Sequence, residues 1–307
     1  MAIIATRINN SGTYLVNGSF DEITTSTIRT TTNTVYASFL DEVTYNSSST
    51  FAKREGSTGI VYVTDQFDEF TGAPIVDSSL KLWLDAGQSS SYPGSGTAWY
   101  DISGNNNTGT LTNGPTYSST TGGGSIIFDG VDDYTTISGY KGVTGTDPRT
   151  TIIWFKAITL NTPQRLIAWG TNTTSLKYCI RSHDSSPWSL RCEINGSNIF
   201  GGATAPNIVD GNWHMLSVVN PSNSALSQIL LYVDSTLITD IDPTSANTGT
   251  IVNTDSGTDV SIGHSIADAL PTQYTNGYIP AVLIYNRELT ADEIAQNFNA
   301  LRRRYGI

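Results

Sequence analysis

Apolar and polar residues alternate along much of the chain in short runs, and alternation with a period of two is the pattern of half-buried β-strands. Gly, Asn and Ser separate these runs and supply turns. After residue 76 the runs lie at residues 80–84, 125–128, 150–157, 165–169, 176–181, 190–194, 213–220, 228–233, 260–263 and 277–285. About ten strands with no helix between them predict a sandwich of two antiparallel sheets.

The C-terminal residues have a different pattern, with a helical period. Thr290 is placed to be the N-cap, and Glu293 stands at the third helical position, so the two residues form a capping-box motif. Apolar residues then recur at spacings of four, three and four, at Ile294, Phe298, Leu301 and Tyr305. The pattern predicts one amphipathic helix at the end of an otherwise all-β chain.

Residues 1–74 are rich in Thr, Ser and Asn, and their alternating apolar positions predict short strands near 34–39 and 59–64. A Phe-Asp-Glu-like motif recurs at residues 20–24, 39–44 and 67–71. The recurrence indicates either an irregular strand-and-turn repeat or chance in a biased composition. Because this segment has few large aliphatic side chains, we expect a partner or oligomerisation to order it. Gly72-Ala73-Pro74 marks the boundary with a larger domain at 75–307.

Composition supports a β-rich protein and excludes some partners. Thr (43) and Ser (34) make up about a quarter of the 307 residues, and only 14% are charged. The net charge of −11 argues against nucleic acid or an anionic membrane surface as a partner. No apolar run reaches the length of a membrane span. The N-terminus lacks the basic and apolar regions of a signal peptide, so we expect synthesis in a cytoplasm.

The two cysteines, Cys179 and Cys192, flank a polar turn-like segment, and this spacing allows them to face each other across a hairpin. A reduced pair that packs as small apolar side chains is the favoured interpretation for a protein made in a cytoplasm. A disulfide remains the alternative. The three histidines show no spacing typical of metal ligands.

Six short motifs resemble those of laminin-G-like, concanavalin A-like jelly-roll domains and occur in the same order. They are Leu82-Trp83-Leu84-Asp85-Ala86, Trp99-Tyr100-Asp101-Ile102-Ser103-Gly104-Asn105, Ile127-Phe128-Asp129-Gly130-Val131-Asp132-Asp133-Tyr134, Asp210-Gly211-Asn212-Trp213-His214, Leu231-Tyr232-Val233-Asp234 and Ile284-Tyr285-Asn286-Arg287-Glu288-Leu289-Thr290. The resemblance covers residues 77 to 307. It implies a concanavalin A-like jelly-roll sandwich with one C-terminal helix, preceded by a small N-terminal β segment.

The residue identities within these motifs also resemble those in structural proteins of tailed bacteriophages, especially those of marine and cyanobacterial hosts. That resemblance implies a virion component made in the host cytoplasm. Because one fold hosts many functions, the resemblance alone does not assign the function of any candidate site.

The sequence offers no clear catalytic constellation. Retaining glycosidases place two carboxylates about 5 Å apart in a cleft. Glu193 has no acidic residue two or four positions away on its strand, and the cluster of Asp129, Asp132 and Asp133 surrounds Gly130 in a turn. No Ser-His-Asp signature is present. We therefore expect a protein that is not an enzyme.

The same three aspartates are the candidate metal ligands. Carboxylate oxygens suit calcium, and the laminin-G-like resemblance implies calcium at a loop rim, although the motif does not assign its ligands residue by residue. The competing interpretation is that Asp129 and Asp132 accept backbone N–H bonds and fix the turn. The cofactor prediction is therefore none, or calcium.

Carbohydrate binding requires an exposed aromatic ring beside polar side chains. Trp188 ends a polar, loop-like run, so we expect its indole to be exposed. A second and weaker candidate is the Trp-Tyr pair that precedes Asp101. The candidate ligand-binding residues are Arg181, His183, Asp184, Trp188, Trp99 and Tyr100.

The leading hypothesis is a non-enzymatic virion structural protein, a capsid decoration or appendage component. Residues 1–74 would dock it to other virion proteins, with homo-oligomerisation expected, and the jelly roll would be displayed. The alternative is a receptor or carbohydrate-binding module of a tail fibre with a host surface glycan as ligand. A glycosidase is the third hypothesis.

Overall fold

The computed structural model describes residues 75–307 except 174, 195, 243 and 266–272, together with the backbone of six strands in the N-terminal region. The chain divides into two compact units, one formed by Met1–Val76 with Ala295–Ile307 and the other by Asp77–Ile294.

The N-terminal strands form a six-stranded sheet in the order β1-β2-β4-β5-β6-β3. Their bounds are β1 Arg7–Ile8, β2 Thr27–Arg29, β3 Thr34–Tyr36, β4 Glu42–Tyr45, β5 Thr50–Glu55 and β6 Ile60–Val63. The two predicted strands near 34–39 and 59–64 correspond to β3 and β6, which pair antiparallel. The motif recurrences at 20–24 and 67–71 lie outside the described residues. That a partner orders this segment stays a prediction.

The larger unit is a sandwich of a nine-stranded and an eight-stranded sheet, which confirms the predicted fold class. Its strands are β7 Leu80–Asp85, β8 Ala98–Trp99, β9 Gly109–Thr112, β10 Thr116–Ser118, β11 Ser125–Asp129, β12 Tyr134–Ile137, β13 Arg149–Ala157, β14 Arg165–Gly170, β15 Lys177–Ser182, β16 Leu190–Glu193, β17 Asn198–Phe200, β18 His214–Asn220, β19 Leu230–Val233, β20 Thr236–Leu237, β21 Val260–Ile262, β22 Asn276–Ile279 and β23 Ala281–Tyr285. Every pairing described within this unit is antiparallel.

The order of strands places the candidate residues on neighbouring strands. The nine-stranded sheet runs β10-β11-β22-β13-β18-β19-β20, and β23 pairs with both β13 and β7. The eight-stranded sheet runs β17-β16-β15-β14-β21-β12-β9-β8. Leu82, Phe128, Phe155, Trp169 and Leu216 are fully or almost fully buried in the core between the sheets. Burial of such side chains is the main stabilising contribution to the sandwich.

Two details of the strand prediction are corrected. Six strands of two to four residues were missed (β8, β9, β10, β12, β17 and β20), because short Thr-rich strands such as β12 carry little apolar alternation. The run at 277–285 was predicted as one strand but forms two, β22 and β23. Pro280 separates them, since it has no N–H to continue the ladder, and its carbonyl accepts a hydrogen bond from Ala86 N at 2.8 Å.

The C-terminal helix is α1, Ala291–Leu301, and a short 3₁₀ turn, Arg302–Tyr305, follows it. The capping box is confirmed, because Glu293 N donates to Thr290 Oγ1 at 3.3 Å and Thr290 N donates to a Glu293 carboxylate oxygen at 2.9 Å. Ile294, Leu301 and Tyr305 of the apolar stripe are buried. Among the described residues, no helix has the length and apolar character needed to cross a membrane.

The polar residues of the motifs hold loops in place. Asp101 accepts hydrogen bonds from the backbone N–H of Trp83 and Asn107, each at 2.9 Å. His214 lies between two aspartates, with Nδ1 at 2.8 Å from Asp234 and Nε2 at 3.1 Å from Asp210. These contacts give three of the six sequence motifs a structural role.

Candidate functional site

The chemistry-bearing feature of the sandwich is a row of three arginines and one phenylalanine across four neighbouring strands of the eight-stranded sheet. The register places Arg165 of β14 opposite Arg181 of β15, Arg181 opposite Arg191 of β16, and Arg191 opposite Phe200 of β17. We call these four residues the arginine row. Like charges directly opposite one another destabilise a sheet, so the row requires compensating carboxylates.

Glu193 is the inner compensating carboxylate. It accepts hydrogen bonds from Lys177 Nζ at 2.6 Å and from Arg181 Nη1 at 3.4 Å, and it lies 2.9 Å from Arg191 Nη2. Its side chain is only 11% exposed. Burial alone would raise the pKa of Glu193, but attraction by Lys177 and by the two arginines lowers that pKa to about 2. The carboxylate therefore stays ionised and fixes the guanidinium groups.

Asp184 is the outer carboxylate, in the loop between β15 and β16. It accepts hydrogen bonds from Arg181 Nη2, from Arg191 Nη1 at 2.7 Å and from Gln273 Nε2 at 3.4 Å. Its side chain is 44% exposed, so this carboxylate is reached by solvent while Glu193 is not. The two arginines thus join a buried carboxylate to an accessible one.

An aromatic pair adjoins the end of the row. His183 stacks on Phe200 with ring centroids 3.8 Å apart and an interplanar angle of 12°. Burial lowers the pKa of His183, and the charge of Arg191 adds to this effect, so the imidazole is neutral at neutral pH. Two buried nitrogens near this point, His183 Nδ1 and Arg191 Nε, have no hydrogen-bond partner among the residues that the structure describes.

The structure brings together Arg181, His183 and Asp184 of the predicted ligand-binding set but corrects the exposure of two tryptophans. Trp99 is fully buried in the core, because β8 places it between the sheets. Trp188 is only partly exposed and packs against the core cluster, so it does not offer an open platform. Tyr100 is exposed, as expected, at 47%.

The aspartate turn, Asp129, Asp132 and Asp133, is a separate cluster in which carboxylate oxygens of all three lie within 4.8 Å of one another. Asp129 Oδ1 accepts from Val131 N at 2.8 Å, and Asp133 Oδ2 accepts from Asp129 N at 3.0 Å. The two carboxylates that hold the turn are thus mainly Asp129 and Asp133, rather than Asp129 and Asp132 as predicted. Gly130 is required here, since its φ is +80° and a Cβ would lie 2.7 Å from Asn276 Cβ.

The donor set of this turn fits a hard cation. Burial raises the pKa of Asp133, and repulsion from Asp129 and Asp132 contributes to the rise. The carboxylate oxygens of Asp132 and the second carboxylate oxygens of Asp129 and Asp133 accept no hydrogen bond among the described residues. Such oxygens are the ligands that calcium prefers, and these three residues would hold it.

The two cysteines do not face each other, which corrects that expectation. The register of β15 and β16 places Cys179 opposite Glu193 and Cys192 opposite Ile180. Neighbouring positions in a strand point to opposite faces, so the two thiols lie on different sides of the sheet. Both are free and buried, in agreement with the favoured reduced interpretation.

Sequence reasoning missed Arg165, Lys177 and Arg191 as parts of the site. The signal was present, because charged residues in both β15 and β16 alternate with core residues such as Ile180 and Cys192. The sequence alone does not align the two strands, and Glu193 has no acidic residue two or four positions away on its own strand. Its partners are cations instead: Lys177 and Arg181 on the neighbouring strand and Arg191 on its own.

Solved structures of the same fold include several carbohydrate-active or binding proteins. Domain 4 of AbnA, an extracellular arabinanase from Geobacillus stearothermophilus solved with arabinotriose, has a TM-score of 0.51 and 15% identity over 71% of this chain and 98% of that one. The binding domain of Paraclostridial Mosquitocidal Protein 1 has a TM-score of 0.50 and 14% identity over 73% of this chain. Trypanosoma rangeli sialidase in complex with sialic acid has a TM-score of 0.52 and 12% identity over 84%.

This chain spans about half (52%) of the mosquitocidal binding domain and 43% of the sialidase. At these identities the likeness concerns the fold alone. No curated protein matches the sequence. The model of the concanavalin A-like lectin/glucanases superfamily matches residues 129–295, which include the aspartate turn and most of the arginine row's sheet. Since this match spans more than half of the chain, the protein belongs to the concanavalin A-like lectin/glucanases superfamily.

Proposed function

We propose that the jelly-roll unit is a non-enzymatic carbohydrate-binding module and that the arginine row is its ligand-binding surface. The observation that carries the proposal is the convergence of Arg181, Arg191 and Gln273 on the accessible carboxylate of Asp184. Planar guanidinium and amide groups held in fixed orientation are the polar groups that recognise oxygen-rich ligands.

The fold relatives support this choice of ligand class. The arabinanase domain was solved with arabinotriose and the sialidase with sialic acid. In this chain, the polar groups of the row lie beside the stacked pair of His183 and Phe200. A site that combines oriented donors with aromatic side chains suits a saccharide.

The charges in the row favour binding over hydrolysis. A general acid must hold its proton near neutral pH, whereas Glu193 has a pKa of about 2. Asp184 accepts hydrogen bonds from two arginines, which suits a group that orients guanidinium donors. We therefore expect no release of reducing ends from any glycan that the protein binds.

A glycan array probed with the full chain tests the proposal. The wild type is expected to bind at least one glycan, and Arg191→Gln to weaken that binding by about tenfold. Arg303→Gln makes the same chemical change at an exposed position of the C-terminal turn and serves as the matched control. Absence of binding across the array, or equal binding by both variants, would overturn the proposal.

The second candidate function, which places the module on a particle, is that of a tailed-phage virion structural protein. It is favoured by the phage-like motifs and by the separate sheet that the N-terminal strands form. In this proposal residues 1–74 dock to other virion proteins and to copies of the same chain. Light scattering of the full chain and of residues 75–307 tests this role: the full chain should form oligomers and the shorter chain should be monomeric. Equal masses per chain would contradict it.

A further inference from the structure

We infer that the arginine row binds sugars that carry a carboxylate, and that Asp184 occupies the carboxylate position until such a ligand displaces it. The inference rests on the proposed carbohydrate-binding function and specifies its ligand class. It also assigns Asp184 the role of an internal competitor.

Three donors surround Asp184. Its carboxylate accepts hydrogen bonds from Arg181 Nη2, from Arg191 Nη1 at 2.7 Å and from Gln273 Nε2 at 3.4 Å. These donors come from β15, from β16 and from the segment before β22, so three separate parts of the chain meet at one carboxylate. Paired guanidinium groups are the usual protein partners of carboxylates, and this arrangement remains suited to a carboxylate from another molecule.

Glu193 and Asp184, the two carboxylates that the arginines share, differ in exposure to solvent. Glu193 is 11% exposed and also accepts from Lys177 Nζ at 2.6 Å. Asp184 is 44% exposed. If Asp184 turns away, Glu193 still holds Arg181 Nη1 and Arg191 Nη2. The site can therefore exchange its outer carboxylate while the guanidinium groups stay oriented.

The loop that carries Asp184 is tied by its own backbone. His183 N donates to Ser189 O, and Trp188 N donates to Ser185 O, each at 2.8 Å. Rotation of the Asp184 side chain breaks none of these bonds. The loop can stay folded during the exchange, and only the two arginine contacts and the glutamine contact are replaced.

The local charge of the cluster contrasts with the net charge of −11 of the whole chain. Lys177, Arg181 and Arg191 contact Glu193, the two arginines also contact Asp184, and Asp242 near His183 adds one more negative charge. Without Asp184 the cluster has three cations against two anions. A neutral sugar would leave two arginines without their second carboxylate, whereas a uronic acid restores it.

The test compares trigalacturonate with the same trisaccharide as its methyl ester, by calorimetry on the full chain. Asp184→Ala vacates the position, so trigalacturonate should bind at least about tenfold more tightly than it binds to the wild type. Asp184→Asn removes the charge but still fills the space, and its gain should be smaller. Neither variant should bind the ester more tightly than the wild type does.

Two controls separate local from general effects. Asp147→Ala removes one negative charge at an exposed position in the loop before β13, and it should leave both affinities unchanged. Arg191→Gln combined with Asp184→Ala should remove the gain. Circular dichroism of each variant confirms that it is folded.

The outcomes distinguish this inference from the proposed function. If Asp184→Ala does not favour the acid over the ester while Arg191→Gln still weakens binding of neutral glycans, the carbohydrate-binding function stands and the displacement inference is overturned. If no variant binds any saccharide, both are overturned. A selective gain for the acid in Asp184→Ala supports both.

Discussion

The arginine row and the aspartate turn are two charged clusters of one jelly roll with opposite balances. In the row, cations from neighbouring strands surround Glu193 and Asp184. In the turn, three carboxylates lie within 4.8 Å of one another, and among the described residues no Lys, Arg or His forms an ion pair with them. The row therefore suits an anion and the turn suits a cation.

The same chemical group responds differently in the two places. Burial opposes ionisation at both Glu193 and Asp133. At Glu193 the cations outweigh burial and lower the pKa to about 2, whereas at Asp133 the neighbouring carboxylates raise the pKa further. Surroundings, rather than residue type, decide whether a buried carboxylate is a fixed support or a group that lacks a counter-charge.

The largest expected effect is on stability and comes from Glu193→Gln. Removing the carboxylate leaves the buried Lys177 and Arg181 and the half-buried Arg191 without their shared partner, so the free energy of unfolding should fall by about 3 kcal/mol at pH 7. Urea denaturation measures this change. Asp184→Asn is the matched control: its accessible carboxylate should contribute less than about 1 kcal/mol to stability. Equal losses in the two variants would contradict the division into inner and outer carboxylates.

The pH dependence of the Glu193 contribution follows from its lowered pKa. The folded-state pKa of about 2 lies below the usual value of 4.5, so the stabilisation is fully present above about pH 4.5 and is lost as the pH falls towards 2. The Glu193→Gln variant should lack this part of the acid transition. Parallel acid profiles for wild type and variant would show that the carboxylate is not held by the cations.

His214 is the intermediate case, with one cation between two carboxylates. Burial alone would lower its pKa, but hydrogen bonds and attraction from Asp234 and Asp210 raise it above 6.5. The stabilisation is therefore present below pH 6.5 and is lost as the pH rises through the folded-state pKa. We expect His214→Asn to cost roughly 2 kcal/mol at pH 6 and clearly less at pH 9. A cost that does not change with pH would mean that packing alone accounts for the contribution.

Most of the larger unit's fold could be predicted from sequence, since its long strands carry strong apolar alternation and its helix carries a complete capping box. Short strands such as β9 and β12 could not be predicted, because the two Thr residues in each do not show which face of the strand is buried. The missing N–H of Pro280 is enough to predict a break in the strand at that position. The apolar residues on both sides of it favour one continuous strand instead.

The candidate site was only partly predictable. Arg181, His183 and Asp184 were found because they share one polar loop-like run. Arg191 and Lys177 were not, since their role depends on strand register, which one sequence does not specify. Trp188 shows the converse error: a polar neighbourhood along the chain suggested exposure, but the fold packs its ring against the core.

The smallest expected effect concerns calcium binding at the aspartate turn. Calcium would neutralise the repulsion that adds to the effect of burial on the pKa of Asp133, so 1 mM calcium should stabilise the folded chain by about 1.4 kcal/mol if the dissociation constant lies near 10⁻⁴ M. Asp132→Asn should abolish this response, because the Asp132 carboxylate supplies oxygen to the cluster without a described hydrogen bond to the turn. In the absence of calcium, the same variant should be slightly more stable than the wild type, since it relieves repulsion.

Asp147→Asn is the matched control and should retain the response. Thermal unfolding with and without calcium distinguishes the outcomes: a midpoint that calcium does not shift would mean that these carboxylates serve only to hold the turn, and that the excess of negative charge there has no bound counter-ion.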